Sequence, residues 1–290
     1  MILLLIWVIL QFSVLEKIGE DDCGVFNRCT DNDDNGKPVY VNVCCIKDPG
    51  SGVPISLIAQ ISLLKQMDHP RITRLQEVFF SISLRRVFLV FESAGPTLKD
   101  FLKKSPATTR NQQLTKSFMH QILTGISYYH SNNFLHGCLT PFHVQCDIKS
   151  TRLKVIHVGM AVTPSFKAPE ILLGFKNYSF PADVWSIGCI FAEMVLLKPL
   201  FGSADEFHET VKIFRLMGLP NEETMPGVTA EYEFLHCFTK SKPKDLSPVF
   251  RSHLEPAGFD LLMRMLRLNP SERITVDQAL RHEYFKNMFI

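Results

Sequence analysis

The sequence predicts an α+β fold in which a small β-rich lobe precedes a larger helical lobe. The chain has 290 residues, which is enough for two lobes that each bury a core. Residues 12–92 contain short runs of β-branched and aromatic residues, of which 39–43 and 87–91 are the clearest, and such runs are typical of strands. From residue 97 onward, apolar residues recur at the spacing of helices.

Strand and turn signals alternate in the first lobe. Residues 12–19 have the composition of a strand, and residues 31–37 contain an Asn-Gly pair, which favours a tight turn between two strands. One helix interrupts the strands. It is predicted to begin near Pro54, and its apolar positions recur at helical spacing until the chain reaches Pro70.

The second lobe is predicted to be mainly helical. Its first long helix carries apolar residues at every fourth position, which are Leu114, Phe118, Ile122 and Ile126. Residues 183–197 and 256–268 predict two further helices. Residues 93–96, Ser-Ala-Gly-Pro, separate the strands from the helices and are the expected hinge segment. The predicted organisation is therefore an extension at 1–11, a first lobe at 12–92, a hinge at 93–96 and a second lobe at 97–287.

An uninterrupted apolar run occupies residues 2–10. Its length fits the apolar region of a signal peptide and is too short to span a bilayer. However, no Lys or Arg precedes the run, and no small-residue cleavage site follows it. We expect an added apolar strand or an irregular gene start, and a secretory or anchored form stays open as the alternative. No other segment is a candidate for membrane insertion.

Charge and cysteine usage limit the functional classes. The formal net charge is +2, and no basic run with interleaved aromatic residues accompanies it, so nucleic acid binding is not expected. The eight cysteines include no C-x-x-C pair and follow no regular spacing. This usage favours reduced thiols in an intracellular protein over a disulfide framework.

Several ordered sequence blocks point to one family. Two examples are Ala-Pro-Glu at 168–170 and Asp-Val-Trp-Ser-Ile-Gly at 183–188, and the full set is 52–54, 61–65, 69–70, 89–92, 168–174, 183–194, 212–215, 226–229, 269–273 and 282–285. Together they resemble the cyclin-dependent protein kinases, most closely the plant members, over residues 12–287. The resemblance implies the bilobal protein-kinase fold, and it implies a cytoplasmic or nuclear protein.

The resemblance also implies structural roles that need no catalysis. Glu170 would pair with Arg273 inside the second lobe, and Asp183 would brace the backbone of the catalytic loop. His136 would belong to an internal spine of stacked side chains. These residue types are all retained in this sequence.

The catalytic positions of the family carry substitutions. Residues 136–143 keep the spacing of a kinase catalytic loop, H-R-D-L-K-P-x-N. Cys138 stands at the catalytic aspartate of that motif, Thr140 at its lysine and His143 at its metal-binding asparagine. His157 stands at the metal-binding aspartate of the D-F-G motif. Because Mg²⁺ prefers oxygen ligands, His143 and His157 suit it poorly.

Another metal stays open at these positions. Cys138, His143 and His157 combine a thiol with two imidazoles, which are ligand types of zinc and copper. The competing interpretation is that they line an unused cleft, since the sequence shows no fourth ligand.

The positions that bind nucleotide phosphates are altered too. The glycine-rich loop keeps Gly19 and Gly24, but Asp21 replaces its middle glycine and would add a Cβ and a negative charge beside phosphates. The lysine of the family that contacts the phosphates is Asn42, and its glutamate partner is Gln60. An amide–amide hydrogen bond between them would contribute about 1 kcal/mol and would offer no cation.

The adenine pocket is predicted to be filled. Phe26, Tyr40 and Gln145 replace a valine, an alanine and a leucine of the family pattern, and Phe91 and Glu92 complete the nucleotide-site positions. Two extra rings would take the volume of a purine. Overpacking a site costs about 1–3 kcal/mol, so a purine should not fit beside them.

Two further features bear on residual activity. Only residues 160–167 separate the D-F-G position from the Ala-Pro-Glu motif, which is too few for the usual peptide-docking platform. In favour of residual activity, Lys47 lies close in sequence to Asn42 and could supply a replacement cation.

We therefore expect a protein-kinase-like domain of the cyclin-dependent kinase family that is catalytically inactive, a pseudokinase acting as a protein-interaction module. No cofactor is expected, and ATP and Mg²⁺ would bind only if the inactivity prediction is wrong. The expected partners are proteins, with a cyclin-like contact at the helix 54–66, which begins where the family has P-S-T-A-I-R-E. One alternative is a Ser/Thr protein kinase with residual activity that transfers phosphate from ATP to protein substrates. The other is a non-functional product of a decayed duplicate gene.

Overall fold

The computed structural model describes most of the chain. The described residues are 11–21, 24–46, 52–81, 84–105, 111–147, 149–157, 164–175, 179–203, 205–231, 235, 238, 241–286 and 288, with Asp21, Ala230 and Glu231 described by their backbone alone. The predictions for residues 1–10, for Lys47 and for residues 160–163 fall outside the described residues.

The chain divides into two compact units. The first comprises Met1–Pro96 and Phe142–Ala161, and the second comprises Thr97–Pro141 and Val162–Ile290. The chain thus leaves the first unit directly after the hinge segment and returns to it once.

A five-stranded antiparallel sheet forms most of the first unit. Its strands are β1 Phe12–Asp21, β2 Gly24–Asp31, β3 Lys37–Cys45, β4 Leu75–Ser81 and β5 Arg86–Glu92. They lie side by side in the order β1-β2-β3-β5-β4. The turn between β2 and β3 spans residues 32–36, with positive φ at Asn35 and Gly36. Asn and Gly adopt that backbone conformation readily, so the predicted turn is confirmed.

Side chains alternate between the two faces of this sheet. One face carries a buried apolar cluster of Phe12, Cys29, Val39, Val41 and Val90. On β3, the intervening residues Tyr40 and Asn42 point to the opposite face, where Tyr40 lies across from Phe91 of β5. The predicted positions Tyr40, Asn42 and Phe91 therefore share one face, whereas Glu92, which pairs with Val39, lies on the other.

One helix and one hairpin complete the first unit. Helix α1, Ile55–Gln66, lies between β3 and β4 and begins directly after Pro54 as predicted, although it ends before Pro70. The hairpin of β6 Val144–Asp147 and β7 Arg152–Val155 was not evident from the sequence pattern. Backbone hydrogen bonds fasten it to the rest of the unit, from Thr73 N to Val155 O at 2.8 Å and from Cys146 N to Pro96 O at 2.8 Å.

The second unit is helical. Its helices are α2 Leu98–Lys104, α3 Gln112–Ser131, α4 Pro169–Leu172, α5 Phe180–Leu196, α6 Glu206–Met217, α7 Val228–Glu231, α8 Ser247–Phe250, α9 Pro256–Met265 and α10 Val276–Leu280. Helix α5 is buried along nearly its whole length and packs against α3 and α9. The prediction of an α+β protein with a sheet-rich first part and a helical second part is confirmed. Within the described part of the chain, none of the helices has the length and apolar character needed to cross a membrane.

Candidate functional site

Two aromatic rings fill the interior of the sheet face that carries the nucleotide-site positions. Phe26 of β2 and Tyr40 of β3 are 1% and 0% exposed. Their rings stack with centroids 5.3 Å apart and an interplanar angle of 24°. Phe91, which lies across from Tyr40 on β5, is also fully buried. This face of the sheet is therefore closed by packed aromatic side chains of its own, and packed rings contribute more than their buried area alone.

The hinge segment is tied to this aromatic face through its backbone. The Tyr40 hydroxyl donates a hydrogen bond to Gly95 O at 2.9 Å. The backbone N–H of Ala94 donates to Gln145 Oε1 at 2.7 Å, and Gln145 is fully buried. Both bonds are within the normal range of hydrogen-bond lengths. The positions predicted to line an adenine pocket, Tyr40 and Gln145, thus bond to the hinge segment itself.

Gly95 shows why the hinge segment cannot carry a side chain at this point. Its φ is +121°, and an added Cβ would lie 2.4 Å from the carbonyl oxygen of Cys146. Only glycine combines that backbone conformation with so close an approach. The neighbouring Cys146 is buried, and burial, with a smaller contribution from Asp147, raises the pKa of its thiol to about 12. The thiol is therefore neutral and adds no charge beside the hinge segment.

The phosphate-contact positions carry no cation. Asn42 is 1% exposed, and its amide nitrogen donates to Cys44 Sγ at 3.4 Å. Gln60, at the position of its predicted partner, lies half-buried on α1. Glu92, which directly precedes the hinge segment, accepts from Lys154 Nζ at 2.5 Å and from Arg74 N at 3.0 Å. The ionic contact at Glu92 is therefore made within the first unit.

Two glycines of the predicted phosphate loop lie in the β1–β2 ladder, which has a register shift between Lys17 and Gly19. Gly19 pairs with Phe26, and Asp21 pairs with Gly24, so the β1–β2 ladder continues to its end. A Cβ on Gly24 would lie 2.1 Å from Val43 O on β3. The sheet alone therefore requires glycine at position 24, whatever its relation to phosphates.

The catalytic positions are distributed over both units. His143 and His157 belong to the first unit and are each 3% exposed, and Ile156 N donates to His143 O at 2.9 Å. Cys138 and Thr140 belong to the second unit, where Thr140 is fully buried. The Cys138 sulfur lies 3.7 Å from His136 Nδ1. A zinc or copper site built from Cys138, His143 and His157 stays a prediction.

One buried carboxylate holds the backbone of the catalytic-loop segment inside the second unit. Asp183 of α5 is 1% exposed. It accepts hydrogen bonds from His136 N at 3.0 Å and from Gly137 N at 2.8 Å, and His130 Nε2 lies 2.9 Å from its Oδ2. Gly137 has a φ of +75°, which the two bonded amides help to fix. No local sequence pattern predicts the contact between Asp183 and His130, which are 53 positions apart.

A second buried carboxylate forms an ion pair in the same unit. Glu170 of α4 and Arg273 are 3% and 5% exposed, and both carboxylate oxygens lie 2.5 Å from guanidinium nitrogens. Arg273 also donates to three backbone carbonyls, which belong to Arg267, Pro181 and Leu268. Every part of the guanidinium fork is therefore used, as a buried arginine requires.

Comparison with known protein families decides the assignment. The model of the protein kinase domain matches residues 12–285. The chain belongs to the protein kinase family. In this protein kinase domain, the sheet-rich first part carries the positions predicted to bind nucleotide, and the helical second part carries Asp183, Glu170 and Arg273. The sequence gives no sign of the hydrogen bonds to Ala94 and Gly95, because nothing in the local sequence marks a backbone group as a partner.

Proposed function

We propose that this protein kinase domain is a pseudokinase of the cyclin-dependent kinase type and acts as a protein-interaction module. The observation that carries the proposal is the burial of two stacked rings at positions that the family resemblance assigns to the adenine pocket. The rings of Phe26 and Tyr40 stack, and Gln145 is fully buried as well, so these side chains would take the volume of a purine. The sequence blocks shared with cyclin-dependent kinases support the narrower family assignment, and by the same resemblance we place the protein in the cytoplasm or nucleus.

ATP and Mg²⁺, which protein kinases use, do not fit the residues present. The metal positions offer imidazole nitrogens from His143 and His157, whereas Mg²⁺ demands oxygen ligands. The lysine position holds the neutral, buried Asn42. A missing general base lowers a rate by about 10²–10⁴, and a missing charge stabiliser lowers it by about 10²–10³. With Cys138 at the base position as well, turnover at kinase rates of about 1–100 per second is not expected.

Mg²⁺-ATP should leave the thermal unfolding of the purified protein unchanged. A ligand at a hundredfold excess over its Kd stabilises a protein by about 2.7 kcal/mol, so a true nucleotide site would give a clear upward shift. The measurement is a set of melting curves with ATP and Mg²⁺ together, with each alone and with neither, accompanied by a phosphate-transfer assay on a generic protein substrate.

The same curves separate the competing functions. A shift that needs both ATP and Mg²⁺, together with phosphate transfer, would support the Ser/Thr kinase alternative and overturn the pseudokinase proposal. A broad, non-cooperative melt without nucleotide would instead favour a decayed gene product. A cooperative melt that no nucleotide alters is the outcome we expect.

We further propose that α1 is the surface for a protein partner of cyclin-like chemistry. Of its twelve residues, only Ile61 and Leu64 are buried. Ile55, Ile58 and Leu63 are 85%, 50% and 40% exposed, and Ile55 and Ile58, three residues apart, lie on one side of the helix. Apolar residues at helical spacing fit the groove-and-helix contacts by which helical proteins recognise each other.

Replacement of Ile58 by glutamate should abolish binding of a purified cyclin-fold protein. A charge at the centre of an apolar contact has to be desolvated without a partner, so we expect a loss of at least about tenfold in affinity. The binding constant can be measured by titration calorimetry. Leu15→Glu, at a β1 position that is 56% exposed, is the matched control and should bind normally. Equal affinity of the two variants, or no affinity in the unmodified chain, would contradict the proposal.

A further inference from the structure

Two side chains of the first unit occupy backbone hydrogen-bonding groups of the hinge segment. Gln145 accepts from Ala94 N at 2.7 Å, and Tyr40 donates to Gly95 O at 2.9 Å. A donor and an acceptor on neighbouring residues are therefore both satisfied by side chains that come from elsewhere in the unit. Both side chains are fully buried, and Ala94 and Gly95 are half-buried.

Packing alone does not account for a glutamine at position 145. Its Oε1 accepts from Ala94, but its buried Nε2 has no hydrogen-bond partner among the residues that the structure describes. A buried amide nitrogen that lacks a partner destabilises a fold, and an apolar side chain of similar size would avoid it. What the glutamine supplies in return is the acceptor for the Ala94 amide, which would otherwise be left unsatisfied.

The groups that Gln145 and Tyr40 satisfy are those that a planar nitrogen heterocycle would use. A backbone N–H next to a backbone C=O matches a ring nitrogen beside an amino group, which is the edge that adenine offers. The Tyr40 ring stacks on Phe26, as the flat ring of a base would stack on an aromatic side chain. The two side chains thus reproduce inside the protein both the hydrogen bonds and the ring of a bound base.

We propose that the side chains of Tyr40 and Gln145 form a built-in occupant of the position where an adenine base would bind. The position itself is retained and can bind a base once these side chains are removed. The proposal rests on the pseudokinase function above, and it concerns the base alone. Removing the occupant should expose a site for adenosine. Because Asn42 supplies no cation to phosphates, the opened site should not prefer ATP over adenosine, and Mg²⁺ should not improve binding.

The decisive variant is Tyr40→Ala with Gln145→Leu, compared with Tyr40→Phe with Gln145→Leu. The first removes the ring, and the second keeps the ring and removes only the hydroxyl. Calorimetric titration with adenosine and with ATP, each with and without Mg²⁺, gives the affinities. We expect the alanine variant to bind adenosine and ATP equally at submillimolar concentration, and the phenylalanine variant and the unmodified protein to bind neither.

The outcomes separate this proposal from the proposed function. An alanine variant that melts cooperatively but binds no adenosine would overturn the built-in occupant and leave the pseudokinase proposal intact. Mg²⁺-ATP binding by the unmodified protein would overturn the pseudokinase proposal. Binding of ATP by the alanine variant far more tightly than adenosine would keep the occupant and show that phosphate recognition persists.

A second measurement decides the matter if the alanine variant does not fold. Gln145→Leu alone removes the acceptor from Ala94 N while it keeps the volume of the side chain. Hydrogen exchange at the hinge segment should then be faster than in Gln145→Glu, which retains an oxygen acceptor. Equal protection of the hinge amides in the two variants would show that Gln145 does not hold the segment, and it would overturn the proposal.

Discussion

Replacement of Arg273 by alanine should lower the free energy of unfolding by about 3–5 kcal/mol, because it leaves a buried carboxylate without its counter-charge. Glu170 is 3% exposed, and both of its oxygens bond to the Arg273 guanidinium at 2.5 Å. The alanine variant also leaves three backbone carbonyls, of which that of Leu268 is buried, without the guanidinium, and it removes the cation that lies 5.1 Å from the Trp185 ring. Denaturant unfolding curves of the unmodified protein and of Arg273→Ala give the difference in the free energy of unfolding.

The chain offers a matched control for this prediction. Arg264 pairs with Asp260 at 2.9 Å, but both side chains are more than half exposed. Exposed pairs contribute about 0–1 kcal/mol, so Arg264→Ala should change stability little. A second control, Arg273→Met combined with Glu170→Leu, removes both charges. It should lower the free energy of unfolding by less than Arg273→Ala alone. If Arg273→Ala and Arg264→Ala had equal effects, the buried pair would not stabilise the second unit.

The fold could be predicted wherever one local rule governs an element. The Asn35-Gly36 pair predicts its turn because both residues adopt positive φ readily. Pro54 predicts the start of α1 because its missing N–H is harmless at a helix start. The hairpin of β6 and β7 has no comparable signal, since its strands are four residues each and are fixed by backbone bonds to distant segments, such as that from Thr73.

The candidate site could be predicted in its composition but not in its bonding. Alternation along β3 is enough to place Tyr40 and Asn42 on the same face, and their size and charge already disfavour a nucleotide. The bond between Ala94 and Gln145 joins residues 51 positions apart, and one partner is a backbone group. No residue pattern encodes such a contact, because any residue except proline offers the same N–H.

Replacement of Asp183 by alanine should lower the free energy of unfolding by roughly 3–5 kcal/mol, because it removes the partner of three groups at once, among them the buried amide of His136. The amides of His136 and Gly137 would lose the carboxylate that accepts from them, and His130 would lose the carboxylate 2.9 Å away. Asp183→Asn keeps an acceptor oxygen and should lower the free energy of unfolding by about half as much as Asp183→Ala. Asp34→Ala is the surface control, because Asp34 pairs with Lys37 at an exposed turn.

The Asp183 prediction tests whether this retained family residue serves the fold. Under the proposed function, the loss of Asp183 is detected as a change in unfolding and not as a loss of turnover. Urea unfolding of Asp183→Ala, His130→Ala and the double variant measures the coupling between the two side chains, which should be about 0.5–3 kcal/mol for residues in contact. A stable Asp183→Ala protein with no coupling to His130 would mean that the aspartate is kept for another reason, and it would weaken the view that this chain preserves its scaffold as a binding module.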